Sequence, residues 1–182
     1  AQRHRTSRKT IQRVLETAPN ALIVYDVNLR PPWYQRDWIE DSLSASNIAK
    51  LNENEAVVLS ELMGVEKRRH DVFAQYLLQR YDLDMVCITR GDRGCSLYTS
   101  SQTVDEPGVE VDVADAVGAG DAFTAALISS HLRGWPLEVT AKFANRVGAL
   151  VASYQGAMPA LTEELGRLII EAGERSRADS TR

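Results

Sequence analysis

Apolar residues recur along this chain at two different periods, and the switching between them predicts strands interleaved with helices. Ile11, Val14, Leu15 and Ala18 fall at helical spacing within Ser7 to Ala18, whereas Ala21 to Val27 is a short, nearly continuous apolar run that suits a buried parallel strand. Pro31-Pro32 blocks a helix directly after Asn28. The helical pattern resumes over Gln35 to Ala45 and gives way to a short strand at Asn47 to Leu51. Asn52 to Met63 and Glu66 to Tyr81 read as helices separated by Gly64, and Met85 to Thr89 as another apolar strand. The turn Gly91-Asp92-Arg93-Gly94 leads to Cys95 to Thr99 as a hairpin partner, with a further strand near Val109 to Val113. Helical patterns over Ala122 to Leu132, Leu137 to Ser153 and Leu161 to Ala172 carry the rest. Glu174 to Arg182 is charged, small and expected to fray. Such alternation implies the α/β class, with a mostly parallel sheet covered on both faces.

At 182 residues, 44% hydrophobic and 25% charged, the chain suits one domain with its own core, here placed at residues 1–173 with 174–182 as a tail. A net charge of -4 argues against a nucleic-acid or membrane partner, because no basic block offers a counterion-releasing patch. No apolar stretch is long enough to span a bilayer, and Ala1 to Thr10 is too polar for a signal-peptide core. Cys87 and Cys95 lack metal-like spacing and read as buried thiols, so a cytoplasmic location is expected. His4, His70 and His131 show no ligand spacing.

The chemistry concentrates in Asp115-Ala116-Val117-Gly118-Ala119-Gly120-Asp121-Ala122-Phe123, which joins a strand-like segment to an apolar helix. A small-residue turn there exposes backbone N–H groups at the positive end of a helix, a cavity suited to an anion. Asp121 stands at its lip. A carboxylate beside an anion site holds phosphate poorly, but it can take a proton from a hydroxyl that attacks the phosphate. The alternative is a plain N-cap. Asn52 and Glu55 read from their spacing as an Asn cap with Glu in the first helical turn. Lys50 alternates onto the same strand face as Asn52 and reads either as a phosphate contact or as a solvated lysine. Asp26, Asn28 and Arg30 point one way if their strand continues, placing three polar groups at the C-terminal edge of a sheet, where ligands of open α/β sheets bind. A P-loop kinase would need Gly-x-x-x-x-Gly-Lys-Ser/Thr, which is absent, and Gly118-Ala119-Gly120 lacks the third glycine of a dinucleotide fingerprint.

The run from Asp115 to Asp121 resembles the second signature of the ribokinase/fructokinase-like, PfkB-type carbohydrate kinases, Asp-Thr-x-Gly-Ala-Gly-Asp, with Ala116 in place of Thr. Asp26 to Arg30, Asn52 to Glu55 and Thr89 to Gly94 follow the same family in the same order, most like its fructokinase branch. The resemblance implies a three-layer α/β/α fold, here without the family's N-terminal half and small β lid. It implies ATP-dependent phosphorylation of a sugar hydroxyl, with Asp121 as base and the N–H groups from Val117 through Gly118, Ala119 and Gly120 to Asp121 as anion hole. It places Thr89 and Gly91 at the nucleotide phosphates, Asn145 near adenine, and Asp26, Asn28 and Arg30 at the sugar and γ-phosphate. Asn52 and Glu55 become the Mg²⁺ motif, with Glu55 acting through water. Asp115, with the Val117 carbonyl and the loop Gly156 to Pro159, corresponds to a potassium site in some relatives, although Ala160 replaces a hydroxyl residue. The complete protein would take a small sugar and could pair as a homodimer, and this chain alone is expected to be inactive. Fructose or a related keto-sugar leads, with ribose, a keto-deoxy sugar acid or a nucleoside behind it. The rival reading is a non-catalytic nucleotide- or sugar-binding module of the same fold.

Overall fold

The computed structural model describes residues 4–65 and 69–179. Its strands are β1 (Val24–Asp26), β2 (Ile48–Asn52), β3 (Met85–Thr89), β4 (Cys95–Tyr98) and β5 (Thr103–Glu106), which form one mixed sheet in the order β1-β2-β3-β4-β5. Contacts divide the chain into two units, Ala1–Thr89 with Tyr98–Thr103, and Arg90–Leu97 with Val104–Arg182. Among the described residues no helix is long and apolar enough to cross a membrane.

The first unit holds α1 (Arg5–Glu16), α2 (Arg36–Ser44), α3 (Glu53–Met63) and α4 (His70–Tyr81) with the parallel strands β1 to β3. Continuous apolar runs make strands that can be buried on both faces, and Ile48, Ala49 and Leu51 of β2 are fully buried. Leu43, Ala56, Leu59, Phe73, Leu77 and Val86 close the core. Gly64, at φ 71°, ends α3 in the left-handed conformation that glycine adopts at least cost. The parallel register sets Asp26 opposite Lys50 and Asn52 opposite Thr89, which fixes the polar end of this sheet. Glu66 to Arg68, the start of the helix expected over Glu66 to Tyr81, lie outside the described residues.

The second unit holds a 3₁₀ turn (Gly91–Arg93) with α5 (Ala119–Leu132), α6 (Leu137–Ala152) and α7 (Thr162–Asp179). Gly148 lets α6 lie close to the start of α5: a Cβ there would stand 3.3 Å from the Ala119 carbonyl and 3.4 Å from Phe123. Trp135 meets Phe143 edge-on at 5.3 Å, and Arg146 of α6 pairs with Glu171 of α7 at 2.6 Å.

Three expectations shift. Residues 107–113 form no strand, and β5 lies earlier, at Thr103–Glu106. Val109, Val111 and Val113 alternate correctly, but a strand also needs a neighbour for its ladder, and Val113 stays 64% exposed. Helix α5 starts at Ala119 rather than Ala122, because small residues can enter a helix that an apolar pattern does not mark. Helix α7 continues to Asp179, past Ala172, so 174–179 is helical, while 180–182 lie outside the described residues. Leu168, Ala172 and Ser176 form its buried stripe, whose last member is polar and invisible to a hydrophobic period.

Candidate active site

In the first unit the sheet edge gathers Asp26, Lys50, Asn52 and Glu55. Lys50 is neither solvated nor free: its side chain is 9% exposed, and Nζ donates to Asp26 Oδ2 at 3.0 Å across the parallel register. A buried ammonium needs such a partner. Glu55 closes a capping box with Asn52, accepting the Asn52 N–H at 2.8 Å while Asn52 Oδ1 accepts the Glu55 N–H at 2.9 Å. Its second oxygen accepts the Leu29 N–H at 2.8 Å, which ties the segment after β1 to the start of α3. Burial and these bonds make Glu55 a charged pin between two backbones. Burial pushes the neighbouring Tyr25 hydroxyl up to about 12, with Glu55 and Asp26 adding to the rise against a lowering bond from Ser42.

The continued strand that would align Asp26, Asn28 and Arg30 does not form. Strand β1 ends at Asp26, and Asn28 turns the chain at φ 43°, a left-handed conformation that Asn tolerates better than most residues. Asn28 and Arg30 are exposed, and among the described residues no acid pairs with Arg30. Thr89 ends β3 opposite Asn52.

In the second unit the turn before α5 is built around Gly118, the N-cap, at φ 86°. A Cβ on Gly118 would lie 2.4 Å from the Ala157 carbonyl oxygen, so the position requires glycine for both conformation and space. Asp121 is therefore the third helical residue and not the cap. Its side chain is exposed, and no donor among the described residues reaches its carboxylate. The N–H groups of Gly120 and Asp121 likewise have no backbone acceptor among those residues, whereas Ala119 donates to Ala116 at 3.3 Å and Ala122 to Gly118 at 2.9 Å. Val117 drops out of the expected anion hole, because its N–H donates to Asp115 Oδ1 at 2.9 Å. What remains is Gly118, Gly120 and Asp121 around a left-handed turn at a helix N-terminus, a donor set that fits a phosphate group.

Asp115 is filled on both sides. Oδ2 accepts the Gly156 N–H at 3.1 Å, so the carboxylate staples the turn to the loop that follows α6. Asn145 lies on α6, as expected, but it is buried. Nδ2 donates to the Pro107 carbonyl at 3.1 Å and the Glu106 carbonyl at 3.4 Å, so it anchors a backbone rather than lining an open surface. Gly91, at φ 63°, opens the 3₁₀ turn. Sequence reasoning missed Gly94 and Gly108. A Cβ on Gly94 would lie 2.1 Å from the Glu106 carbonyl oxygen, and one on Gly108 would lie 1.6 Å from that of Asp92. Only the pairing of Gly94 with Gly91 around a turn hinted at this close approach. No cluster of three or more His, Cys, Asp or Glu side chains able to hold a metal occurs among the described residues. Burial pushes the Cys95 thiol up to about 12, so it stays protonated and unreactive.

Residues 5–164 match the profile described as pfkB family carbohydrate kinase, and the chain belongs to that family. Fructokinase-1 of Oryza sativa subsp. japonica is 34% identical over 167 residues, 84% of this chain and 50% of that protein. The solved structure of an uncharacterized sugar kinase from Pyrococcus horikoshii in complex with ATP is 30% identical, with a TM-score of 0.71, covering 92% of this chain and 56% of that one. Aminoimidazole riboside kinase from Salmonella enterica, complexed with aminoimidazole riboside and an ATP analog, is 26% identical with a TM-score of 0.74, covering 92% and 59%. The fold is thus ribokinase-like, and the chain spans about half the length of the curated relatives it matches.

Proposed function

We propose that the protein carrying this chain is an ATP-dependent carbohydrate kinase in which Asp121 takes the proton of the attacking sugar hydroxyl. The observation that carries this reading is the Asp121 carboxylate, with no donor among the described residues, beside the Gly120 and Asp121 N–H groups, with no acceptor among them, at a turn that only glycine at 118 permits. Those amides would hold the transferred phosphoryl group and the charge it develops, and fixed donors of this kind usually lower the barrier to such a transfer more than any other device a protein has. Bound ATP supplies that group, and Mg²⁺ neutralises its oxygens. Glu55 has both oxygens engaged by N–H groups, which suits contact with the metal through water rather than direct ligation. Thr89 and Gly91 are the nucleotide-side contacts in this reading, and Asn145 acts there through the carbonyls it holds. The side chains of Asn28 and Arg30 are exposed and have no partner among the described residues, which leaves them available to the sugar, while Asp26 acts through its pair with Lys50.

A keto-sugar such as fructose leads the substrate classes, supported by similarity to the rice fructokinase. Ribose, a keto-deoxy sugar acid and a nucleoside follow. The potassium site gains no support from Asp115, whose oxygens already accept two N–H groups. Cys87 and Cys95, buried and not joined in a disulfide, suit a cytoplasmic location, and a homodimer of the complete protein rests on resemblance alone. The test is ADP release by the complete protein with ATP, Mg²⁺ and each sugar class in turn. Release dependent on one of them is expected. ATP binding without sugar-dependent release from any would instead establish the non-catalytic binding module.

A further inference from the structure

Residues 107–113 of the second unit have no ladder of their own, yet Val109 and Val111 form one wall of a groove of about 320 Å³ whose other walls are α6 and α7, at Ala149, Leu150 and Leu168. An irregular segment keeps its place only through its ends. At the far end, the Ala114 and Asp115 N–H groups donate to the Ala152 carbonyl at 2.9 and 3.2 Å, and Gln155 Nε2 donates to the Ala114 carbonyl at 3.0 Å. At the near end, one side chain gathers most of the bonds. The Arg90 guanidinium is 18% exposed and donates to Asp105 Oδ1 at 2.6 Å, to Ser96 Oγ, and to the carbonyls of Arg93 at 3.3 Å, Cys95 at 3.3 Å and Glu106 at 3.5 Å. The Arg90 N–H also closes the 90–94 turn onto the Gly94 carbonyl at 2.8 Å. Asn145 holds the Glu106 and Pro107 carbonyls from the other side, and Gly94 and Gly108 let the two backbones touch.

We propose that Arg90 is a positioning residue for nucleotide binding: its planar fork locks the Gly91–Gly94 turn to residues 105–108, and so sets the wall at Val109–Val111 and the approach of the chain to the Asp115–Asp121 cradle. This role rests on the kinase reading of that cradle. The residue between Thr89 and Gly91 is then not a neutral spacer. A lysine keeps the charge but offers a single ammonium to acceptors spread over five residues, so it cannot reproduce the fork.

The test uses Arg90→Lys, Arg90→Ala and Asp105→Asn in the purified protein, with ATP titrated by calorimetry and amide exchange followed by mass spectrometry. Arg90→Lys is expected to raise the Kd for ATP by roughly tenfold at unchanged stoichiometry, and to speed exchange over 107–113 while leaving α5 as protected as before. Asp105→Asn keeps the bonds to the backbone carbonyls and is expected to change the Kd less than threefold or so. It remains the informative variant if both Arg90 substitutions unfold the protein, and a Kd shift in it larger than tenfold would overturn the fork as the holding element. Falling stoichiometry with an unchanged Kd in Arg90→Lys would show a merely structural residue and overturn the proposal. An unchanged Kd in a folded Arg90→Lys would do the same. Absence of ATP binding by the wild-type protein would instead overturn the kinase reading, and this role with it.

Discussion

The carboxylates of the two units differ in what they already hold. In the first unit Asp26 holds Lys50, and Glu55 holds the N–H groups of Asn52 and Leu29. In the second, Asp115 is filled by the Val117 and Gly156 N–H groups, but Asp121, six residues on, holds nothing among the described residues. A filled carboxylate stabilises the backbone it pins and is open to further partners only through its remaining lone pairs. An unfilled one in the first turn of a helix adds to the fold only its favourable interaction with the positive helix end, and its lone pairs are available for proton transfer. Substitutions should therefore separate into effects on turnover and effects on stability.

The sharpest separation is expected at Asp121. Asp121→Asn should lower kcat of the complete protein by about a hundredfold or more, with ATP binding and unfolding midpoint near wild type. Turnover close to wild type would erase the distinction drawn between Asp121 and Asp115. Gly118→Ala should cost about 3 kcal/mol or more, combining left-handed strain with displacement of Ala157, and should weaken ATP binding as well; denaturant unfolding and a nucleotide titration read the two effects.

In the first unit the pair should respond asymmetrically. Asp26→Asn leaves the buried Lys50 ammonium without its counter-charge and should cost about 3 kcal/mol, whereas Lys50→Met leaves an Asp26 side chain that is 28% exposed and can rehydrate. Equal costs in urea unfolding would mean that Lys50 reaches water when alone. Glu55→Gln comes next. Reading Glu55 only as a metal contact implies a raised Mg²⁺ requirement with an undisturbed fold, but glutamine can accept just one of the two N–H bonds, so a loss of about 1–2 kcal/mol is expected as well. The smallest effect concerns acid. Bonds from Ser96 and then Arg90 hold the Asp105 carboxyl below the usual carboxylate range. Its contribution is present at neutral pH and is lost as pH falls below about 4 toward the depressed folded value. With the side chain 68% exposed, the difference between wild type and Asp105→Asn in a pH series of unfolding should stay below about 1 kcal/mol.

Much of this was legible from residue order. The apolar runs at Ala21 to Val27, Asn47 to Leu51 and Met85 to Thr89 announced the parallel strands, since burial on both faces needs continuous apolarity. The spacing of Asn52 and Glu55 announced the capping box, and the small-residue run announced the turn at Gly118. What stayed hidden depended on partners distant in sequence. Nothing near Lys50 says that Asp26 will face it, nothing near Glu55 indicates Leu29, and nothing near Asn145 indicates the carbonyls of 106 and 107. The strand expected at Val109 to Val113 failed for the same reason, because alternation is local while a ladder neighbour is not.

The chain leaves the first unit after Thr89, returns at Tyr98, and leaves again after Thr103. Neither unit is therefore one uninterrupted stretch, and no single cut in the polypeptide yields both intact. A nick between Thr99 and Gln102 separates β4 from β5 and strands pieces of both units on each fragment. Exchange of parts with a related gene would succeed only with junctions outside residues 90–103, which makes this short hairpin the region a recombinant swap must carry whole.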